Sequence, residues 1–327
     1  MRLVEQSIRS KAGINLATCE DDLVVTNDFA CVVDGATSVT GGRWTSAQIT
    51  GGQWASRILI DGVKNLRPTC SAREAVDQLT RCIQGAYRSE EGVLETMENK
   101  PEERATASMM LYSKHLNQLI CVGDCQAALI DASGNIFHVI QPVKHNDVVM
   151  SQARCMFLQL ELSRGKTVEE LRKIPDVGRE FIEPLRKGQR LFQNNPTAHP
   201  LYQYWVMDGF PVLDKGIEIH DLPRRTRQII LASDGYPKLY STLEETETEL
   251  RSILDKDPLL MDLCMGTKGV RPGADSFDDR TYLRIGVSGR ASALQPLTAT
   301  LLAIGSVLLM MRGNLTTSFY HVMDDEQ

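Results

Sequence analysis

Glu20-Asp21-Asp22-Leu23-Val24-Val25-Thr26-Asn27-Asp28-Phe29-Ala30-Cys31-Val32-Val33-Asp34-Gly35-Ala36-Thr37 is the stretch on which the reading of this chain turns. Leu23 to Thr26 and Phe29 to Val33 are rich in β-branched and aromatic residues, and Asn27-Asp28 between them is turn chemistry. The pattern predicts a β-hairpin. In a hairpin the start of one strand lies beside the end of its partner, so Glu20 or Asp21 is brought close to Asp34. Grouped carboxylates repel one another, and a fold that assembles them usually supplies a cation to offset the repulsion. Taken alone, Asp34-Gly35 also reads as an ordinary turn after a strand.

The chain has 327 residues, enough for one large domain or two ordinary ones. A hydrophobic fraction of 42% supports a full core, and a net charge of −6 without a lysine- or arginine-rich tract argues against nucleic acid as a partner. The eight cysteines form no Cys-x-x-Cys pair, a scatter expected of reduced thiols in an intracellular protein. The N-terminus begins like a strand and shows no signal-peptide pattern, so the expected location is cytoplasmic.

Leu3 to Ile8 reads as a first strand. Arg43 to Val63 has helical spacing, with Gly51-Gly52 expected to weaken or split it at about 1 kcal/mol per glycine. Ser71 with Glu74 forms a capping-box pattern for a second helix running to about Arg88, and Glu90 to Glu103 reads as an exposed acidic loop. Ala105 to Tyr112, Gln118 to Val122, Ala127 to Ile130 and Ile136 to Ile140 predict an antiparallel meander. Helical features follow over Val148 to Leu171 and Val177 to Arg186, then an aromatic strand over Tyr202 to Val206. Arg227 to Ala232 and Thr281 to Val287 are the last strands, with a helix over Leu243 to Leu254 between them. Strands first, helices between and strands again favour α+β with antiparallel sheets over a doubly wound parallel fold.

Four places repeat one design, an apolar strand that ends in or begins after an aspartate. They are Cys31-Val32-Val33-Asp34-Gly35, Ile120-Cys121-Val122-Gly123-Asp124, Leu231-Ala232-Ser233-Asp234-Gly235 and Asp278-Asp279-Arg280-Thr281-Tyr282. Hard oxygen donors gathered at strand ends suit Mg²⁺ or Mn²⁺. In these motifs, and in Ala105-Thr106-Ala107-Ser108, the chain from about Leu3 to Ile285 resembles the metal-dependent serine/threonine protein phosphatases of the PPM or type 2C family. The resemblance implies a four-layer α-β-β-α sandwich of two antiparallel sheets flanked by helices, occupying residues 1–290. It implies two ions, Mg²⁺ or Mn²⁺, with Asp34 bridging both, Glu20 and the Gly35 carbonyl on one, and Asp234 and Asp278 on the other. Asp21 would orient water, and a phosphoprotein or phosphopeptide would lose its phosphoserine or phosphothreonine phosphate to water activated between the cations.

The sequence departs from the family pattern in three places. Leu16 stands where the phosphate-binding arginine is expected, four residues before Glu20; Arg43, Lys11 and Arg9 are candidate substitutes, Arg43 first. His145-Asn146-Asp147 only approximates the family's Asp-His element, and Ala36 to Gly42 replaces its usual glycine-rich continuation. The alternative function is therefore a pseudophosphatase, the same sandwich used as a regulatory or binding module. Residues 291–327 form a separate C-terminal segment. Its apolar run 297–311 is shorter than the roughly 20 residues of a membrane helix, so a helix packed on the domain or a partner is favoured over membrane contact.

Overall fold

The computed structural model describes residues 1–13, 16–36, 49–173 and 175–287. β1 (Arg2–Arg9) leads through a 3-10 turn at Leu16–Thr18 into β2 (Asp22–Val25) and β3 (Phe29–Gly35). These two form the expected hairpin, with Asp22 opposite Val33, which sets Asp21 beside Asp34. Three helices follow, α1 (Gly51–Lys64), α2 (Ala72–Arg88) and α3 (Val93–Asn99). Then come β4 (Ala107–Ser113), β5 (Gln118–Val122), β6 (Gln126–Ile130) and β7 (Ile136–Ile140). The long segment after β7 carries α4 (His145–Ser163), α5 (Val168–Leu171), α6 (Val177–Phe181) and α7 (Glu183–Gly188). β8 (Glu218–Asp221), β9 (Gln228–Ala232), α8 (Leu243–Lys256) and β10 (Arg280–Gly286) complete the described chain.

The strands make two five-stranded antiparallel sheets, ordered β1-β10-β9-β6-β7 and β2-β3-β4-β5-β8. Alternation along each strand explains the layering. On β3, Ala30 and Val32 point to the core between the sheets, where they meet Met110, Leu231 and Leu283. Cys31 and Val33 point the other way, onto Ala55 and Leu59 of α1 and Leu79 of α2. Ile230 and Tyr282, on the far side of the other sheet, pack against Leu250 of α8. The result is the α-β-β-α sandwich. Because both faces of the central strands are covered, they read as continuous apolar runs rather than as alternating ones.

Several local expectations are corrected. Gly51 and Gly52 do not split a helix; they begin it, with Thr50 and Gln53 forming a reciprocal capping box. The acidic stretch after α2 is not a plain loop but holds α3 and a 3-10 turn, Pro101–Glu103. The meander is two hairpins in different sheets: β4 pairs with β5, β6 pairs with β7, and Gly123 at φ +99° turns the chain across between β5 and β6. The stretch from Tyr202 to Val206 is not a strand. Tyr204 makes one isolated bridge to Gln193, and its neighbours wrap irregularly over the site. Among the described residues no helix is long and apolar enough to cross a membrane. Contacts divide the chain into Met1–Ser288 and Gly289–Gln327, and the second unit, with the run 297–311, lies outside the described residues.

Candidate metal centre

One end of the sandwich collects the carboxylates. Asp34 lies in the last turn of pleat of β3, Asp234 two residues beyond β9, Asp278 two residues before β10, and Glu20-Asp21 just ahead of β2. Asp34, Gly35, Asp124, Asp234 and Asp278 line one cleft, of about 150 Å³. Glu20, Asp21 and Asp279 are buried beside it.

Backbone packing holds these residues together. A Cβ at Gly35 would meet the Gly52 and Glu20 carbonyl oxygens at 2.4 and 2.5 Å, and one at Gly52 would meet Glu20 Oε1 and Gly35 O at 2.8 Å each. Only a glycine pair permits the approach. It also sets the Glu20 carboxylate and the Gly35 carbonyl around the same small volume. Across the site, Asp279 accepts from the backbone N–H groups of Lys11 at 2.8 Å and Glu20 at 3.0 Å, which ties β10 to the loop before β2. Glu20 Oε1 accepts from the Thr50 hydroxyl at 2.6 Å.

The electrostatics are those of crowded anions. Burial first, and then mutual repulsion, push Asp34 and Asp234 well above the usual carboxylate range; the two side chains are hydrogen-bonded to each other. Burial likewise raises Asp21, which bonds to Ser233 through one oxygen and leaves buried Oδ2 without a partner. Asp278 goes the other way. Burial opposes its charge, but Lys268 and then Lys11 outweigh it and hold the carboxyl below its ordinary range. Lys11 Nζ lies 3.4 Å from Glu20, 3.7 Å from Asp278 and 3.1 Å from Asp279, while Lys268 is ion-paired to Asp278.

Among the described residues no three Asp, Glu, His or Cys side chains are grouped as a ready ligand set; two lysines stand among the carboxylates instead. The donors nonetheless fit a hard divalent cation. They are all oxygens, Asp34 and Asp234 hold each other only by sharing a proton, Asp21 keeps an unpartnered buried oxygen, and Glu20 and Gly35 present theirs to one hollow. The structure thus brings together Asp34, Asp234 and Asp278, places Glu20 and Gly35 beside them, and sets Asp21 behind.

Other expected residues fall differently. Leu16 sits half-exposed in the 3-10 turn. Arg9 pairs with Glu247 at 3.5 Å, away from the cleft, while Lys11 is within the carboxylate group. Arg43 lies outside the described residues. Asp147, at the start of α4, lines the cleft and pairs with Lys144 at 3.0 Å, and Asp124 accepts from the Ser108 hydroxyl at 2.5 Å. Sequence reasoning missed the cations of the opposite wall, Lys144, Arg179, Arg186, Arg190 and Lys268. The three arginines recur at i, i+7 and i+11, but they stand on α6, α7 and the 3-10 turn Gln189–Phe192, so tertiary placement and not one helix face brings them to the cleft.

No protein-family model and no curated protein matches the chain. Solved structures do. Serine/threonine phosphatase Stp1 from Staphylococcus aureus is 15% identical, with 88% of this chain and 98% of that chain covered and a TM-score of 0.42. The catalytic domain of serine/threonine protein phosphatase PstP, solved with two manganese ions, is 15% identical over 88% of this chain and 100% of that one, at a TM-score of 0.42. RsbX, solved with magnesium, is 14% identical over 86% and 94%, at 0.38.

Proposed function

We propose that this chain is a metal-dependent phosphatase that removes phosphate from phosphoserine and phosphothreonine in proteins or peptides. The observation that carries the reading is the convergence of Asp34, Asp234 and Asp278 from three separate strand ends on one cleft, with Glu20 buried beside it, at an electrostatic cost that a cation would remove. Divalent Mg²⁺ or Mn²⁺ would supply Lewis acidity there, acidifying water and neutralising phosphoryl oxygens. Glu20, the Gly35 carbonyl, Asp34, Asp234 and Asp278 would hold the ions.

The remaining chemistry belongs to the chain itself. Asp21, buried behind Asp34, is placed to accept a hydrogen bond from a water at the cleft floor through its free oxygen and so orient it. Lys11 keeps Glu20 and Asp279 in register by bridging them. Cations on the facing wall supply the charge that a phosphate monoester needs. Among the described residues, the serine and cysteine nearest the carboxylates are poor nucleophiles. The Ser108 hydroxyl is spent on Asp124, and the Cys125 thiol, just outside, is pushed well above its ordinary pKa by burial. This favours direct hydrolysis, water adding to phosphorus as the ester P–O bond breaks and the seryl or threonyl oxygen takes a proton.

The alternative, a pseudophosphatase binding module, is favoured by one observation, the Lys268 ion pair on Asp278. Manganese titration by calorimetry together with turnover of p-nitrophenyl phosphate and phosphopeptides decides between them. The expected result is Mn²⁺-dependent hydrolysis, with Asp34→Asn losing tight Mn²⁺ binding and at least about 10²-fold in rate. Tight Mn²⁺ binding without turnover would leave the binding module; unchanged titration in Asp34→Asn would remove the bridging assignment.

A further inference from the structure

Five cationic side chains face the carboxylates across the cleft, and their partners differ. Lys144 is paired with Asp147, Arg186 with Glu183 and Lys268 with Asp278. Arg179 and Arg190 have no carboxylate partner among the described residues. Arg190 is fixed by neutral groups, donating through Nη1 to the Thr106 hydroxyl at 2.8 Å and to Gln193 at 2.7 Å, while its buried Nε has no partner. Arg179 donates only a long bond from its guanidinium, 3.4 Å to the Thr267 carbonyl.

The position of Arg179 is built rather than incidental. Arg154, fully buried, donates to the Leu259 and Gly266 carbonyls and to Asp176 Oδ2 at 3.2 Å. Asp176 in turn caps α6 by accepting from the Arg179 N–H at 2.9 Å, and it also accepts from the Gly269 N–H. A buried cation thus anchors a carboxylate that sets the first turn of α6, and α6 aims Arg179 at the loop carrying Lys268. Thr267, which accepts from Arg179, is the chain neighbour of Lys268, which pairs with Asp278. Arg179 and the carboxylates are therefore joined through two adjacent residues.

We propose that Arg179, backed by Arg190, is the phosphate grip of this site, replacing from the segment between β7 and β8 the basic residue that Leu16 does not provide. The proposal rests on the phosphatase reading and specifies how the substrate's dianionic phosphate group is held. A guanidinium offers a planar fork of donors that matches two phosphate oxygens. A half-buried arginine without a direct ion pair among the described residues, with a second one lining the same cleft, is stabilised by an anion that enters. Burial and then the neighbouring Arg186 already push the Arg179 guanidinium down to about 10, the mark of a cation crowded by its own kind.

The test measures binding of inorganic phosphate, the reaction product, to the full chain in saturating Mg²⁺ by calorimetry, beside p-nitrophenyl phosphate kinetics. Arg179→Gln keeps a donor for Thr267, so the local fold is retained, and circular dichroism and melting temperature verify this. The expected outcome is a loss of about 10- to 100-fold in phosphate affinity with a matching rise in KM, while Mg²⁺ affinity stays within about twofold. Arg179→Lys should recover part of the affinity, since it restores charge without the fork. Phosphate binding unchanged in a well-folded Arg179→Gln, with the wild type turning over substrate, would overturn the grip and leave the phosphatase reading intact. A wild type that neither binds phosphate nor turns over substrate would overturn both.

Discussion

At the scale of single residues the site is defined by what is small and what is charged. Gly35 and Gly52 are there because their backbones touch, and Glu20 could not lie against Gly35 if either carried a side chain. The carboxylates were legible in the sequence because each follows or precedes an apolar strand, so local residue types announced them. Arg179 was not legible as a site residue. It reaches the cleft by tertiary placement of α6, through a buried Arg154–Asp176 contact that no local pattern encodes. The thiols are equally clear-cut. Burial pushes Cys121 and Cys125 well above the ordinary thiol range, so neither is a thiolate near neutral pH. Cys125→Ser should therefore retain phosphatase turnover within a few-fold, whereas EDTA should abolish it and added Mn²⁺ restore it. Loss of turnover in a folded Cys125→Ser with insensitivity to EDTA would reverse the mechanism.

At the scale of elements, α8 is fastened to the sheet by one buried group. Glu247 receives Arg280 of β10 through two bonds, at 3.0 and 3.2 Å, and the Tyr236 hydroxyl at 2.6 Å. Burial opposes its charge, but the Arg280 and Tyr236 bonds outweigh it and lower its pKa below the ordinary value. Glu247→Gln leaves buried Arg280 with Asp275, at 2.7 Å, as its remaining carboxylate, so the substitution should cost about 2 kcal/mol in urea unfolding at pH 7. The sign of the pH dependence follows. A carboxyl whose folded pKa is depressed contributes stability above its unfolded pKa and loses it as pH falls through the folded value. The gap between wild type and Glu247→Gln should therefore narrow below the ordinary glutamate range, near pH 4. A gap independent of pH would show that packing, not charge, is lost. Elements were legible where a cap or a turn was local, as at Ser71 and Thr242, whose capping boxes both form. They were not where tertiary contact decided, as at Tyr202 to Val206, whose aromatic run gains burial by wrapping the site rather than by joining a sheet.

At the scale of the whole molecule, the sandwich was legible because its inner strands are apolar on both faces, while the partition of strands between sheets was not, since Gly123-Asp124 looks like any hairpin turn. Burial on both faces also sets the pattern of protection. Amides of β3, β4, β9 and β10 should exchange with solvent slowest, and those of the half-exposed edge strands β7 and β8 fastest. Fast exchange in β3 would contradict the double covering. The pairing of β1 with β10 carries a further consequence. β1 is an edge strand whose one sheet neighbour is the last strand of the described chain, Arg2 lying opposite Gly286. The Lys11 and Glu20 amides likewise wait for Asp279. While this stretch is being made on the ribosome, β1 emerges well before its sheet partner β10, with every other described strand between them. Closing so long a loop is slow, and the strand that closes it is the one that carries Asp278 toward Asp34. The acidic cluster is thus complete only once β10 has joined β1 and β9, so the site and the finished sheet form together.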